Sequence, residues 1–299
     1  MPNNPSTVSV WQPWILALRP QSLTASLAPV LIGTVLALSQ GISIDWMIAF
    51  SVLLSAFFIQ TGTNLVNDAF DYKRGADTED RLGPIRLVQR GLLSSQQVHF
   101  LGILSFLLAI LVAIPIILKG GGILLFIILL SCLCGYFYTG GSISLAYTGL
   151  ADFFVVTFFG VVLTGSTYYL QSGIINANVI VAGLQIGLLA TVIIAINNLR
   201  DHVQDAQAGR RSLPVRFGVT FGRCEITFCS MTPLLLGFYW FAQGYVYAAL
   251  LPLLTLPIIY KFITGIWKNE PGRIYNSLFG MAALTHLLFG LLISIGFMI

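Results

Sequence analysis

The feature that most constrains the fold of this chain is a series of long apolar runs separated by short polar breaks. A helix of roughly 20 apolar residues spans the hydrocarbon core of a bilayer, which is about 30 Å thick. Only 9% of the 299 residues are charged, whereas soluble domains contain about 25%. The sequence therefore predicts an all-α, polytopic protein embedded in the lipid bilayer.

Nine apolar runs are long enough to be transmembrane helices. The expected spans cover residues 22–40, 46–70, 99–118, 121–138, 151–171, 177–199, 224–242, 244–265 and 278–298. If the N-terminus is cytoplasmic, all of the 15 Lys and Arg except Lys119 fall on the cytoplasmic side, as the positive-inside rule requires. We therefore expect one domain, residues 1–299, with nine transmembrane helices and its C-terminus on the opposite side.

Carboxylates are scarce in this chain, yet they cluster at the expected cytoplasmic ends of two helices. The segment "NLVNDAFDYKRGADTEDRLGPIR", residues 64–86, holds five of the 11 Asp and Glu. Residues spaced by three or four positions share one helix face, and each helix end carries a triad with such spacing. The two triads are Asn64, Asp68 and Asp71, and Asn197, Asp201 and Asp205. The repeated N-x-x-x-D spacing predicts an internal pseudo-repeat of residues 46–118 and 177–242.

Two opposed faces of oxygen ligands are suited to binding a hard cation. Magnesium is typically held by one or two carboxylates together with substrate phosphates, so the triads predict two Mg²⁺ ions clamping a diphosphate. Charge that develops on the departing diphosphate is then stabilised electrostatically. The apolar bundle would accept a hydrocarbon tail, so the predicted substrate is a polyprenyl diphosphate that ionises to an allylic cation inside the membrane.

The acidic segments also resemble a known family. The stretch from residue 64 to 91 and the stretch "NNLRDHVQDAQAGRRSLPVRFG" are similar to the two aspartate-rich motifs of the UbiA-type intramembrane prenyltransferases. The segments "DTEDRLGP" and "YTGG" resemble the branch that prenylates 1,4-dihydroxy-2-naphthoate in menaquinone biosynthesis. The resemblance implies nine helices around a central cavity, magnesium dependence, a cytoplasm-facing cap formed by the two loops, and location in a bacterial inner membrane.

The resemblance also implies roles for individual residues. The two triads become the two magnesium sites, with catalysis ascribed to Asp68, Asp71, Asp201 and Asp205. Basic residues in the same motifs become diphosphate contacts by position: Lys73, Arg81, Arg200 and Arg210. The chain departs from the superfamily at one loop position, because Ser142 follows Tyr138 by four residues where many members have a Lys.

The implied reaction transfers the polyprenyl group to the ring carbon that bears the acceptor's carboxylate. Loss of carbon dioxide then gives demethylmenaquinol. A membrane-embedded cavity keeps water away from the cation, and aromatic faces stabilise it; Tyr138 and Tyr169 are the expected pocket residues. Arg19 lies at the expected cytoplasmic end of the first span, where it either steers the acceptor carboxylate or serves only as an orientation charge.

Two other functions fit parts of the same pattern. Another aromatic acid, such as 4-hydroxybenzoate, could be the acceptor, because the acidic motifs serve only the diphosphate. A transporter of a phosphorylated or cationic solute also carries acidic residues at helix ends. However, its ionisable residues should continue through the bilayer, and here the far side offers only Asp45 and Lys119. No nucleic acid and no protein partner is expected.

Overall fold

The computed structural model describes residues 19–75, 82–83, 86–141 and 144–299, and every regular element in these ranges is helical. The helices are α1 (Pro20–Ser39), α2 (Trp46–Lys73), α3 (Ser95–Val112), α4 (Ile114–Phe137), α5 (Leu145–Thr148), α6 (Ala151–Ser172), α7 (Ala177–Arg200), α8 (His202–Gln207), α9 (Leu213–Phe217), α10 (Val219–Leu235), α11 (Gly237–Ala242), α12 (Val246–Lys268) and α13 (Tyr275–Met298). Helix α6 includes a π-helical segment, Val156–Val162, and α12 includes a 3-10 segment, Leu251–Thr255. The all-α prediction is confirmed over the described residues.

Seven helices of the described part are long and apolar enough to cross a membrane: α2, α3, α4, α6, α7, α12 and α13. Helix α1 is apolar but shorter, over Leu23–Ser39. The expected seventh span is divided between α10 and α11, where Pro233 lies near the end of α10. A polytopic helical protein is thus confirmed, whereas the count of nine spans stays a prediction.

Local sequence signals explain where several helices begin. The Asp45 carboxylate accepts a hydrogen bond of 3.2 Å from the Ile48 N–H at the start of α2. Ser94 and Gln97 form a reciprocal capping box at the start of α3, which satisfies backbone N–H groups that lack helical partners. These helices therefore begin where short polar residues precede an apolar run.

The boundary between the third and fourth expected spans is wrong by several residues. Helix α3 ends at Val112 instead of continuing to residue 118, and α4 begins at Ile114. Pro115 lies in the first turn of α4, the one part of a helix where a missing N–H costs nothing. Gly121, with φ of +70°, interrupts α4 directly after residues 119–120, where the sequence predicted the break. Hydropathy alone did not locate the turn because the run is apolar on both sides of it.

Helix α7 lies at the centre of the bundle. In its most apolar 18-residue stretch 78% of the residues are buried, whereas 22% are buried in the corresponding stretch of α4. The π-helical segment of α6 packs directly against α7, where Gly160 faces Gly183 and Gly187 backbone to backbone. Helix α4 instead exposes large apolar side chains such as Phe126, which is 62% exposed. The exposed apolar face of α4 is the surface expected of a helix in contact with lipid.

At the end of the bundle away from the acidic motifs, Asp45 and Lys119 form an ion pair of 3.2 Å. The side chain of Gln171 also exchanges hydrogen bonds with the backbone of Asp45, at 2.9 and 3.2 Å. The two charged residues that the sequence placed on the far side therefore neutralise each other. Asp45 lies at the start of α2, and Lys119 lies in the first part of α4.

Candidate active site

A cavity of about 660 Å³ extends into the bundle from the end where α2 and α7 terminate. Most of its wall is apolar and comes from α2, α4, α6 and α7; it includes Val52, Ile59, Ile128, Phe154, Phe158, Val162, Leu163 and Ile193. The polar part of its wall comes from the two acidic motifs and their neighbours: Asn64, Asn67, Asp71, Arg86, Asn197, Asn198, Asp201, Gln204, Asp205 and Arg210. A single chamber therefore combines a charged end with a long apolar wall.

The structure brings most of the predicted site residues together around this cavity. Those that line it are Arg19, Asn64, Asp71, Tyr138, Asn197, Asp201, Asp205 and Arg210. Among the described residues, four predicted site residues are not part of the lining: Asp68, Lys73, Arg200 and Tyr169. Arg81 lies outside the described residues, as do Asp77, Glu79 and Asp80 of the same loop. The roles assigned to all these residues stay predictions, since geometry alone does not test them.

Asp68 faces the protein backbone. Its carboxylate accepts a hydrogen bond of 2.9 Å from the Leu87 N–H and is buried. The neighbouring Arg86 donates to the Asp71 carboxylate at 2.8 Å, in an ion pair that is almost completely buried. Asp68 thus holds in place the segment that brings Arg86 to Asp71, which lies at the cavity.

Asn67 is a cavity residue that the sequence analysis missed. It precedes Asp71 by four residues, so Asn67 and Asp71 repeat the spacing of Asn197 and Asp201, and all four side chains line the cavity. Asn64, which the sequence paired with Asn197, also lines the cavity, but Asp68, which it paired with Asp201, does not. The helical period of 3.6 residues contained this signal, because residues 64, 67 and 71 share one face of α2, and both asparagines line the cavity.

Arg200 holds the side chain of Asp201 in place. It is buried, and its Nε and Nη2 donate to the two carboxylate oxygens of Asp201 at 2.7 and 2.6 Å. Its Nη1 donates to the Asn276 side chain at 2.6 Å, and the Asn276 amide in turn donates to the Leu82 carbonyl at 2.8 Å. The start of α13 therefore joins the second acidic motif to the segment that follows the first.

Three other predicted site residues, Lys73, Tyr169 and Tyr138, lie in different surroundings. Lys73 is exposed, with its ammonium group 5.5 Å from the Phe70 ring. Tyr169 packs against an apolar cluster that includes Ile48 and Phe106. Tyr138 lines the cavity, and burial raises the pKa of its phenol to about 12. A phenol is already protonated at neutral pH, and the shift acts in the same direction, so the Tyr138 hydroxyl is available there as a hydrogen-bond donor.

The charges at the polar end influence one another. Burial raises the pKa of Asp205 to about 6, although Arg210 lies 3.5 Å away and opposes that shift. Burial alone would lower the pKa of Arg210, but the carboxylates of Asp71 and Asp205 raise it above its usual value. The polar end is therefore a desolvated region in which a further cation would favour ionised carboxylates.

The donor set of the cavity fits a magnesium ion completed by a ligand. Within the described ranges, four buried acceptor oxygens of lining residues have no hydrogen-bond partner: Gln60 Oε1, Asn67 Oδ1, Gln204 Oε1 and Asp205 Oδ2. Carboxylate and amide oxygens are the ligands of hard cations. No group of three or more His, Cys, Asp or Glu residues converges in the described part of the chain. The oxygens thus suit a cation that takes its other ligands from a substrate or from water.

Fold and cavity together define the class of protein: a polytopic helical membrane protein with a polar, cation-compatible chamber at one end of an apolar bundle. Residues 26–289 match the model of the UbiA prenyltransferase family, and the chain belongs to that family.

Comparisons with known proteins agree with this assignment. The chain is 30% identical over 302 residues to 1,4-dihydroxy-2-naphthoate octaprenyltransferase of Haemophilus influenzae, covering 96% of each chain. It is 35% identical over 217 residues to the Escherichia coli protein of the same name, covering 71% of this chain and 70% of the relative. A UbiA homologue of Archaeoglobus fulgidus bound to GPP and Mg²⁺ shares the fold with a TM-score of 0.62, at 17% identity, covering 94% of this chain and 99% of that chain.

Proposed function

We propose that this protein transfers a polyprenyl group from a polyprenyl diphosphate to 1,4-dihydroxy-2-naphthoate with decarboxylation, giving demethylmenaquinol. The observation that carries the proposal is the convergence of both acidic motifs, Asn67 with Asp71 and Asn197 with Asp201, on one cavity with a long apolar wall. Two relatives that match most of this chain bear the name of that activity, which supports the naphthoate acceptor.

The proposal includes the arrangement in the membrane. Nine transmembrane helices surround the cavity, the N-terminus is cytoplasmic, and the loops after α2 and α7 form a cap on the cytoplasmic face. Support comes from the Lys and Arg residues, all of which except Lys119 fall on one side under this arrangement, as the positive-inside rule requires. The substrate's tail then lies in the apolar part of the cavity, and its diphosphate lies at the polar end.

Mg²⁺, most simply two ions, would supply electrostatic stabilisation of the leaving diphosphate. The residues that would hold it are Asn67, Asp71, Asn197, Asp201 and Asp205, whose side chains line the polar end. Arg210 binds diphosphate oxygens there, because a guanidinium group presents several donors to a phosphate. Tyr138 lies beside the same charges and donates a hydrogen bond from its protonated hydroxyl.

The apolar wall performs the second task, which is to protect the allylic cation. Phe154 and Phe158 line the cavity and stack on each other, with ring centroids 5.8 Å apart. Aromatic faces attract cations, most strongly in a desolvated site. The wall also excludes water, which would otherwise hydrolyse the cation before the acceptor ring attacks it.

The test is turnover by the purified protein in detergent with Mg²⁺, a polyprenyl diphosphate and either 1,4-dihydroxy-2-naphthoate or 4-hydroxybenzoate. We expect a prenylated product and carbon dioxide from the naphthoate, with activity lost on chelation and restored by added Mg²⁺. If only the benzoate gave a product, the acceptor would be 4-hydroxybenzoate and not the naphthoate.

A transporter of a phosphorylated or cationic solute is the alternative of a different class. The ion pair between Asp45 and Lys119 argues against it, because the charges at the far end of the bundle satisfy each other. With radiolabelled polyprenyl diphosphate, an enzyme converts the label into a more hydrophobic product in detergent. Label that stays unconverted with every aromatic acid tested would favour the transporter.

A further inference from the structure

Among the predicted diphosphate contacts that the structure describes, Arg210 is the one that lines the cavity, yet its own segment does little to hold it. It lies between α8 and α9, and its guanidinium group is 3.5 Å from the Asp205 carboxylate, which is at the outer limit of a hydrogen bond. The charge of the Asp71 carboxylate also attracts Arg210, but charge attraction alone does not fix the orientation of a long side chain, which loses considerable rotamer freedom when it is ordered. Other side chains are therefore needed to keep Arg210 at the cavity.

Tyr147 in α5 is positioned to do this. The Arg210 guanidinium carbon lies 5.7 Å from the centroid of the Tyr147 ring, and the Arg74 guanidinium carbon lies 4.6 Å from the same centroid. Cations within about 6 Å of an aromatic face are attracted by the ring quadrupole. One ring thus attracts two guanidinium groups that would otherwise repel each other.

Arg74 holds the loop that carries the ring. It directly follows the last residue of α2, three positions after Asp71, and donates hydrogen bonds to the carbonyls of Thr139 at 2.6 Å and Gly141 at 2.5 Å. Within the same loop, the Tyr138 carbonyl accepts hydrogen bonds from the Ala146 N–H and the Ser144 hydroxyl. The end of α2, the loop after α4 and Arg210 therefore form one connected unit.

We propose that Arg74 and Tyr147 are positioning residues that place Arg210 at the polar end of the cavity. The inference rests on the proposed function, because it assumes that Arg210 binds the diphosphate. It also explains how the chain manages without a Lys four residues after Tyr138: Arg210 reaches the same loop from the other motif, and the Tyr147 ring keeps it there.

The proposal depends on the aromatic ring of Tyr147 and not on its hydroxyl group. It depends on the shape of the Arg74 guanidinium group and not on its charge alone. Tyr147→Phe keeps the aromatic face, so its KM for polyprenyl diphosphate should equal that of the unchanged protein. Tyr147→Leu removes the face and should raise that KM by about threefold to 30-fold, the range a desolvated cation–π contact supports. Arg74→Lys keeps the charge but cannot donate to two carbonyls in a fixed fork, and should raise the same KM by about tenfold. The KM for the acceptor should not change in any variant.

Arg223 and Trp267 provide matched controls. Arg223 lies 6.0 Å from the Trp267 ring and donates to the Asn269 carbonyl at 3.0 Å, so it makes the same two kinds of contact away from the cavity lining. Arg223→Lys and Trp267→Leu should lower thermal stability without changing the KM for polyprenyl diphosphate. An equal rise in KM from these controls would show that general loosening, and not the position of Arg210, is responsible.

A binding measurement with Mg²⁺ and inorganic diphosphate completes the test without turnover. The apparent Kd from the rise in thermal midpoint should be weaker in Tyr147→Leu and Arg74→Lys and unchanged in Tyr147→Phe. If the unchanged protein is stabilised and all three variants match it, the positioning role is wrong while the proposed function stands. If magnesium diphosphate does not stabilise the unchanged protein, the proposed function fails and this inference fails with it.

Discussion

At the scale of single residues, the acidic motifs divide into side chains that face the cavity and side chains that hold those in place. Asp71 lines the cavity and is paired with Arg86, whereas Asp68 receives a backbone N–H from Leu87. In the second motif, Asp201 lines the cavity, and the buried Arg200 holds it in place by donating hydrogen bonds to both of its carboxylate oxygens. Residues of similar chemistry in one motif are therefore expected to respond differently to substitution.

Asp71→Asn and Asp68→Asn test this division. An Asn at position 68 still presents an oxygen to the Leu87 N–H, so we expect a loss of turnover of at most about tenfold, the worth of one charge-assisted hydrogen bond. An Asn at position 71 removes a negative charge from the polar end, and we expect a loss of about 100-fold or more. Turnover in detergent at saturating Mg²⁺ measures both. Equal losses in two equally stable variants would contradict the division.

At the scale of elements, the contact between α6 and α7 shapes the apolar wall. The π-helical segment of α6 contributes Phe158 and Phe159 to the cavity, and its Gly160 lies directly against Gly183 and Gly187 of α7. A π-helical turn inserts an extra residue into an α-helix and is frequent at functional sites. The close backbone approach at Gly160 therefore sets how deeply the two Phe rings enter the cavity.

Gly160→Ala should destabilise the bundle. An added Cβ would lie 2.6 Å from the Gly187 Cα and even closer to the Gly183 carbonyl oxygen, so backbone must move. Overpacking of this kind costs about 1–3 kcal/mol. The control is Gly165→Ala in the same helix, whose nearest atom would be Ile175 Cδ1 at 3.8 Å, an ordinary contact. Thermal unfolding in detergent compares the two, and an unchanged midpoint for Gly160→Ala would refute the close contact.

At the scale of the whole molecule, the charged residues that line the cavity all lie at one end of the bundle. The cavity's charged residues gather where α2 and α7 end, and the far end carries the Asp45–Lys119 ion pair and Gln171, which do not line the cavity. This asymmetry fits an enzyme that meets a membrane-dissolved substrate and a water-soluble acceptor at one face. It also gives the proposed orientation a direct test.

Cysteine labelling in sealed right-side-out vesicles tests that orientation. Ile175, between α6 and α7, is 51% exposed and belongs to the far end, whereas Arg90 is exposed at the cavity end. In a background with the native cysteines replaced by alanine, we expect a membrane-impermeant maleimide to label Ile175→Cys directly and Arg90→Cys only after permeabilisation. The four native cysteines to replace are Cys132, Cys134, Cys224 and Cys229. Direct labelling of Arg90→Cys, with Ile175→Cys labelled only after permeabilisation, would show that the topology is opposite to the proposed one.

The sequence by itself determined the features that are encoded locally. Apolar run length located the seven helices of the described part that are long and apolar enough to cross a membrane, because the bilayer imposes a nearly fixed length. Helical spacing predicted that Asn197, Asp201 and Asp205 lie together, and all three line the cavity, although α7 ends at Arg200 and Asp205 belongs to α8. The motifs were distinctive enough to indicate the family, to which the chain indeed belongs. Boundaries inside a continuous apolar run, such as the turn before Ile114, were not recoverable from hydropathy, which does not change there; Pro115 in the first turn of α4 was the local signal for that boundary.

Tertiary structure alone decided which motif residues face the cavity. Asp68 turns to Leu87, 19 residues away, and Arg200 turns to Asn276, 76 residues away, so their orientation depends on partners that helical period cannot reveal. The same is true of Arg74, which reaches Thr139 across 65 residues, and of the ring that it shares with Arg210. The physical reason is that buried polar groups must find hydrogen-bond partners, and the fold, not local spacing, determines which partners are within reach.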